Sequence, residues 1–404
     1  MSQNQAVIVA ATRSPIGRAY KGSFADVRSD DLAATVIRSV LSQVPNLDPG
    51  EIEDVLLGCA QPAGEQGYNL ARVVAIQAGL AGAGGVTINR YCSSSLQAIR
   101  MAAHAIAAGE GDVFMAAGVE CVSRFKNGKS DGMPDTHNAI YAAAEARTAE
   151  RAEAGARVWT PFDGLPDVYI GMGHTAENVA QVEGVTREEQ DAFAARSQQR
   201  AVAAQQSGKF DAEITPITLA DGTVISKDDC PRDGTTAEGL AGLKPVFRPD
   251  GSVTAGNACP LNDGAAAVIV MSESRANALG IAPIGRVVSS AVSAVDPEIM
   301  GLGPVEATRR ALTRAGLTID QIDLVEINEA FAAQVIPSAK HLGISDEQLN
   351  VNGGAIALGH PFGMTGARIM TTLLNALKDR GGRYGLETMC VGGGQGMAMV
   401  VERL

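Results

Sequence analysis

An α/β fold built from two similar halves, with a further segment inserted into the chain, is predicted by three features of this 404-residue sequence. Short β-type runs alternate with helical runs at both ends of the chain, the signature of βαβ units and a mostly parallel sheet. The middle, from about Val122 to Pro260, changes to a polar, loop-rich character. The last third then repeats the first. Leu47–Val55 resembles Leu317–Val325 at an offset of 270 residues, and Met115-Ala-Ala-Gly118 resembles Met389-Cys-Val-Gly392 at an offset of 274. Two matches at nearly one offset indicate two copies of one topology. Packed together, such halves bring corresponding strand ends to one cleft, where open α/β sheets bind ligands.

In order, Ala6–Ala11 reads as a buried strand and Thr12–Gly17 as a turn. Asp30–Gln43 has helical periodicity, with Asp30 or Asp31 as N-cap. Ile52–Gly58 is a second strand and Asn69–Ala78 a helix. Val86 and Ile88 lead into Cys92, after which Leu96–Ala108, rich in Ala, Leu, Met and Gln, has high helix propensity. Asp112–Ala117 is a strand closing at Gly118. Within the middle segment, Ala142–Ala156 is a charged helix. Thr186–Ser207 is another, opening with Thr186 ahead of Glu188 and Glu189. Asp221–Arg248 is rich in Asp, Gly and Pro and reads as long loops.

Composition narrows the function. Hydrophobic content of 46% supports large cores, and 4% aromatics with abundant Ala and Gly suits closely packed layers. The net charge of −12 argues against a nucleic-acid surface, though not against an anionic small molecule held in a local basic pocket. The six cysteines (59, 92, 121, 230, 259 and 390) have no CxxC spacing, so zinc and thioredoxin-like readings fail. No basic-then-apolar leader and no run of 18 apolar residues is present, so a reducing, cytoplasmic setting without a membrane span is expected.

Chemistry concentrates at four places. Cys92 stands at a strand-to-helix junction, where free backbone N–H groups and the helix dipole favour a thiolate. His360 lies in the Gly-rich stretch Asn352–Gly366, framed by Gly359 and Pro361. Cys390 opens a second Gly-rich stretch, Met389–Gly396. Glycines at this density let backbone approach a ligand and expose N–H donors. Asn328 and Glu329 close a strand between the two halves, with Glu329 in a structural role. One thiolate to attack, an imidazole to take its proton, a second thiol to move a substrate proton, and Asn with backbone N–H groups to hold an oxyanion form a coherent set. Of the other histidines, His137 and His341 read as surface residues.

The motifs NRYCSSSLQAI, TAENVA, SVTAGNACPLNDGAAA, INEAF, NGGAIALGHPFGMTGAR and CVGGGQGMAMVVE, together with VIVAATRSPIGRAYKGSF near the N-terminus, resemble those of the thiolase family of acyl-CoA:CoA acyltransferases. That resemblance implies a five-layered αβαβα fold. The first half would comprise residues 1–121 and 261–284, an inserted loop domain covering the cleft residues 122–260, and the second half residues 285–404. It implies thiolysis of a 3-ketoacyl-CoA to acetyl-CoA and a shortened acyl-CoA. The alternatives are a biosynthetic acetoacetyl-CoA thiolase and a non-catalytic, sterol-carrier-like binder of lipid or CoA. Cys92 would be the nucleophile, His360 its activator, Cys390 the acid/base and Asn328 the holder of an oxyanion-hole water. Cys92 and Gly392 would supply the N–H groups of a second oxyanion hole. Met172, Phe247, Arg232 and Cys259 would line the CoA site, with Cys259 replacing the family's usual Ser. CoA would be a substrate, with no metal or redox cofactor, and the expected assembly is a homodimer or homotetramer. Gly171-Met172-Gly173-His174 in place of a His-Met-Gly run favours the degradative group.

Overall fold

The computed structural model describes residues 4–154 and 158–404. Nine principal strands are β1 (Ala6–Arg13), β2 (Asp54–Gly58), β3 (Gly84–Ile88), β4 (Val113–Cys121), β5 (Asn262–Ser272), β6 (Gly285–Ala294), β7 (Leu324–Ile327), β8 (Tyr384–Val391) and β9 (Gln395–Arg403). The main helices are α1 (Ser29–Ser42), α2 (Leu70–Gln77), α3 (Ser94–Ala108), α4 (Ala142–Ala154), α5 (Met172–Glu183), α6 (Arg187–Gln206), α7 (Gly303–Ala315), α8 (Ala332–Leu342) and α9 (Thr365–Arg380). The end of the helix expected over Ala142–Ala156 lies outside the described residues. Among the described residues, no helix is long and apolar enough to cross a membrane.

The strands run in the order β7-β8-β9-β6-β1-β5-β4-β2-β3. From the β1–β6 ladder outward, β1-β5-β4-β2 mirrors β6-β9-β8-β7, so the two halves share one topology. Three apolar clusters separate the layers. One packs α1 and α2 on the outer face of the first half, and one packs α7 and α8 on the outer face of the second. Between the half-sheets, α3 and α9 share a central cluster with β1, β5, β8 and β9. The result is five layers in the order αβαβα. In α3, Leu96, Ile99, Ala102 and Ile106 recur at helical spacing and are fully buried. Each buried Leu or Ile contributes about 1.5–3 kcal/mol.

The structure corrects three expectations. The sheet is mixed: only β2–β3, β2–β4 and β7–β8 are parallel, while β1–β5, β1–β6, β4–β5, β6–β9 and β8–β9 are antiparallel. Strand β5 enters from the long middle segment rather than from a crossover helix, and β9 returns from β8 through a tight turn at Gly393 and Gly394. Neither connection is a parallel crossover, so the crossover rule places no constraint on them. Secondly, ladder register revises the repeat. Val55 pairs with Met115, and Val325 pairs with Leu386. Met115 therefore corresponds to Leu386, 271 residues on, and the match of Met115–Gly118 with Met389–Gly392 is three residues out of register. Thirdly, α1 starts at Ser29 with Arg28 as a cap lacking a side-chain bond, so neither Asp30 nor Asp31 caps it.

Residues 122–261 leave the sheet after β4 and rejoin it at β5. Two buried ionic anchors fasten this segment down. Arg13 of β1, fully buried, binds Glu213 at 2.7 Å and Asp228 at 2.8 and 3.0 Å. Glu298 accepts from Arg147, Arg151, Trp159 Nε1 and the Asp167 N–H. Helix α6 opens, as expected, with Thr186: its side chain and Glu189 form a capping box.

Candidate active site

The loop before α3 is bent at Tyr91, whose φ of +42° is rare for a non-glycine residue. Such a conformation costs about 1–3 kcal/mol and needs external support. Asn89 Oδ1 accepts from the Tyr91 N–H at 2.9 Å, and Ser94 Oγ donates to the Tyr91 carbonyl at 2.7 Å. The bend places Cys92 in a short 3₁₀ turn over the N-terminus of α3. Across from it, the β8–β9 turn brings the Gly392 N–H toward the Cys92 sulfur, where the N–H of Cys92 itself also points. Despite these donors and the helix end, burial pushes the Cys92 thiol up to about 12. The resting thiolate expected from the sequence is therefore absent, because loss of water outweighs the backbone dipoles.

Cys259 and Cys390 lie close enough to Cys92 for ionised sulfurs to repel one another, and burial raises both thiols strongly. All six cysteines are free. Cys390 also belongs to an apolar cluster with Val253, Met300 and Phe331, against which Met172, Phe247 and Ala258 pack. The structure thus packs Met172 and Phe247 against the apolar cluster that contains Cys390. Arg232 is placed elsewhere, exposed on the outer side of α6 near Gln199 and Gln206. His174, half-buried, packs its ring edge on Phe247 at 5.9 Å and leaves Nδ1 buried without a partner.

His360 is 1% exposed and fixed at three points. Its N–H donates to Asn262 Oδ1 at 2.9 Å, and Nδ1 lies 2.6 Å from Thr365 Oγ1. Thr365 Oγ1 in turn donates to the Pro361 carbonyl at 2.8 Å. The hydroxyl proton is thereby committed, so Nδ1 carries the imidazole proton and donates it to Thr365. Nε2 is then left as the base, facing Asn328 Nδ2 at 3.3 Å. Burial, reinforced by Arg368, depresses the imidazole pKa to about 3, so His360 is neutral at rest. Asn328 Oδ1 is buried and has no hydrogen-bond partner, leaving an acceptor for a water or substrate group.

The two Gly-rich stretches serve mainly a different purpose from the ligand approach expected of them. A Cβ on Gly366 would sit 2.3 Å from the Leu96 nitrogen, and one on Gly363 would sit 2.4 Å from the Val119 carbonyl oxygen. One on Gly354 would strike the Glu329 carboxylate. Gly366 lets the starts of α3 and α9 cross at backbone contact, and Gly363 lets the turn after His360 lie on the β4 backbone, which together set the Cys92 and His360 loops side by side. Gly392 and Gly393 do line the cavity over Cys92.

Residues that the sequence reading gave no catalytic role complete the site. Glu120, fully buried, accepts from the N–H groups of Ala60 (2.8 Å), Gln61 (3.3 Å) and Gly363 (2.9 Å) and from Gln66 Nε2 (2.6 Å). One carboxylate thus ties the His360 loop to the loop carrying Gln61. Cys230 is buried and accepts from Asn262 Nδ2 at 3.3 Å. Glu329 is structural, as expected: it accepts from Ser197, Asn350 and the Ile356 N–H. A cavity of about 240 Å³ opens over Cys92, walled by Tyr91, Val168, Tyr169, Ile170 and Met172. His137 is exposed as expected, yet it lines this cavity, stacked on Tyr169 at 4.1 Å and bonded to Glu145 at 3.0 Å. A spacing of five from His360 to Thr365 was the one sequence signal for the tautomer lock; Asn262 lay inside a quoted motif without its role being evident, and nothing local marks Glu120.

Comparison with known proteins gives the following. Family profiles described as "Thiolase, N-terminal domain" and "Thiolase, C-terminal domain" match residues 6–274 and 281–403. An acetyl-CoA acetyltransferase of Pseudomonas aeruginosa is 48% identical over 98% of this chain and 99% of its own length. A 3-oxoadipyl-CoA/3-oxo-5,6-dehydrosuberyl-CoA thiolase of Escherichia coli is 47% identical over 99% and 100%. A 3-ketoacyl-CoA thiolase of Aeromonas hydrophila is 46% identical over 98% and 99%. The crystal structure of the dimeric peroxisomal thiolase of Saccharomyces cerevisiae superposes with a TM-score of 0.89 at 37% identity, covering 100% of this chain and 98% of that one.

Proposed function

This chain belongs to the thiolase family, and from that premise we infer that it cleaves 3-ketoacyl-CoA with CoA through the pair of thiols Cys92 and Cys390. The observation that carries the assignment is the set of groups gathered around Cys92: two sulfur-directed N–H groups, a second buried thiol, Cys390, near enough to couple to it, and the turn after the neutral imidazole of His360 packed against the Cys92 turn, beside a cavity that Cys92 lines.

The steps follow from the protonation states. His360 Nε2 takes the Cys92 proton as the sulfur attacks the C3 carbonyl. Asn328, through a water, holds one oxyanion, and the N–H groups of Cys92 and Gly392 hold the other. The C2–C3 bond then breaks, its electron pair passes to C2, and Cys390 protonates C2 to release acetyl-CoA. The acyl group remains as a thioester on Cys92. Free CoA gives its thiol proton to the Cys390 thiolate and attacks that thioester. The Cys92 sulfur leaves and regains its proton from His360. Negative charge arises only in passing, in a water-poor site with donors already aimed at it, where such donors are worth about 10²–10³ in rate each. Met172, Phe247, Ala258 and Phe331, gathered around the Cys390 cluster, offer an apolar wall to the pantetheine arm. The segment 122–260 supplies Met172, Phe247 and Ala258 of that wall as a cover, and Cys259 meets the CoA side of the site.

The synthetic direction uses the same atoms in reverse, and the name of the Pseudomonas relative keeps it in view. The degradative direction is favoured by the 3-ketoacyl-CoA thiolase relatives. The dimeric yeast structure supports a homodimer. The test is CoA-dependent cleavage of a panel of 3-ketoacyl-CoA esters, with intact mass of the protein after a pulse of substrate. One acyl adduct in the parent, none in Cys92→Ala, and turnover lost in both Cys92→Ala and Cys390→Ala are expected. Turnover surviving Cys92→Ala would overturn the assignment.

A further inference from the structure

The cavity over Cys92 has a polar far end that the thiolysis chemistry does not use. Tyr91, adjacent to Cys92, lines its wall, and the Tyr91 hydroxyl stands 3.5 Å from Asp131 Oδ1. One tyrosine side chain therefore spans the distance from the nucleophile's backbone to that carboxylate. Asp131 is held in place from the other side. Gln61 Nε2 donates to Asp131 Oδ2, while Gln61 Oε1 accepts from the Asp131 N–H at 2.9 Å and from Ser130 Oγ at 3.1 Å. The Gln61 amide is thereby locked with its donor toward the carboxylate. Gln61 is itself anchored through its N–H to buried Glu120. No lysine or arginine lines this cavity among the described residues. Its single imidazole, His137, is already engaged by Glu145 and Tyr169. The far end is thus a fixed negative charge answered only by neutral donors.

Resting on the thiolysis reading above, we propose that Asp131 makes this enzyme select neutral acyl chains and reject those ending in a carboxylate. The acyl group left on Cys92 by a six-carbon 3-oxo-dicarboxylic thioester ends in a carboxylate three carbons beyond the thioester carbonyl. Extended into this cavity, that carboxylate would lie along the Tyr91 ring, toward Asp131. Two like charges a few ångströms apart, at a partly water-exposed site, oppose binding by about threefold to tenfold and are weakened by salt. The enzyme would then differ from relatives whose names specify a dicarboxylic substrate.

The test compares kcat/KM for 3-oxohexanoyl-CoA and 3-oxoadipyl-CoA, matched in carbon number, at pH 8 in 20 mM and 500 mM salt. The parent is expected to prefer the neutral ester by about threefold to tenfold at low salt, with the preference shrinking at high salt. Asp131→Asn, which keeps the acceptor to Gln61, is expected to reduce the preference about threefold to tenfold and to remove its salt dependence. A parent that prefers the dicarboxylic ester, or a preference indifferent to both salt and Asp131→Asn, would overturn the proposal while leaving thiolysis intact. The parent's own salt dependence decides the matter even where the variant does not fold. No turnover of either ester, nor of any in the wider panel, would remove the thiolysis reading and this inference with it.

Discussion

Replacing Thr365 with valine should cripple the first half-reaction without a comparable loss of folded protein. The Thr365 hydroxyl accepts the Nδ1 proton of His360 at 2.6 Å and passes its own proton to the Pro361 carbonyl at 2.8 Å. Valine has the same shape and no oxygen. If the tautomer persists, a fully buried N–H loses its only acceptor, at about 1–3 kcal/mol. The alternative tautomer moves the proton to Nε2, where the unpartnered Asn328 Oδ1 can accept it after an amide flip. That escape spares stability but removes the base from the Cys92 side. Either route raises the barrier by about 2 kcal/mol, or roughly thirtyfold in rate. Rapid-quench mass spectrometry of the Cys92 acyl adduct measures this step alone, and the nitrogen chemical shifts of His360 report the tautomer. Thr365→Ser should acylate within a few-fold of the parent. The reasoning fails if Thr365→Val acylates within twofold of the parent, or if the serine variant is as slow as the valine one.

Three other outcomes follow from the same geometry. Because burial holds the Cys92 thiol near 12, its alkylation by iodoacetamide in the substrate-free enzyme should rise about tenfold per pH unit from pH 7 to 10; a plateau below pH 9 would mean a resting thiolate. His360 titrates near 3 folded against about 6.5 unfolded, so below pH 6.5 the unfolded chain takes up the proton first. Its share of stability therefore falls by about 1.4 kcal/mol per pH unit as pH drops from 6.5 toward 3. The urea-unfolding gap between parent and His360→Asn should narrow over that window, and an unchanged gap would contradict the depressed pKa. Gly366→Ala places a Cβ 2.3 Å from the Leu96 nitrogen, so α3 and α9 must separate. Overpacking of this kind costs about 1–3 kcal/mol, and a urea midpoint equal to the parent's would show that the crossing has slack.

Much of the fold was legible because each half repeats a local pattern. The strand and helix positions follow from apolar periodicity, and the start of α6 was legible in Thr186 ahead of Glu188 and Glu189. Strand direction was not legible. Whether β5 runs parallel or antiparallel to β4 depends on how a segment of some 140 residues returns to the sheet, and no local signal encodes that return. The repeat register failed for a related reason. The match at Met115 and Met389 rests on residue identity, whereas register is set by ladder hydrogen bonds and by which face is buried.

The catalytic candidates were readable from the sequence because their chemistry demands uncommon residues at strand ends and Gly loops: Cys92, His360, Cys390 and Asn328. Their ionisation was not. A cysteine at a helix start suggests a thiolate only while water remains, and the three-dimensional burial of Cys92 reverses that expectation. The same holds for the His360 tautomer, fixed by Thr365 and Asn328, which lie 5 and 32 residues away along the chain. The glycines marked the site correctly, yet for crossing helices more than for a ligand. What the sequence alone determined was which groups are available, since covalent chemistry is a property of the residue. What only the tertiary structure decided was their charge, tautomer and neighbours, because solvation and hydrogen bonding belong to the whole packed assembly. Glu120 and Asp131 illustrate the division. Each is an ordinary acidic residue in the sequence, and each takes its role from loops that meet only in the folded chain.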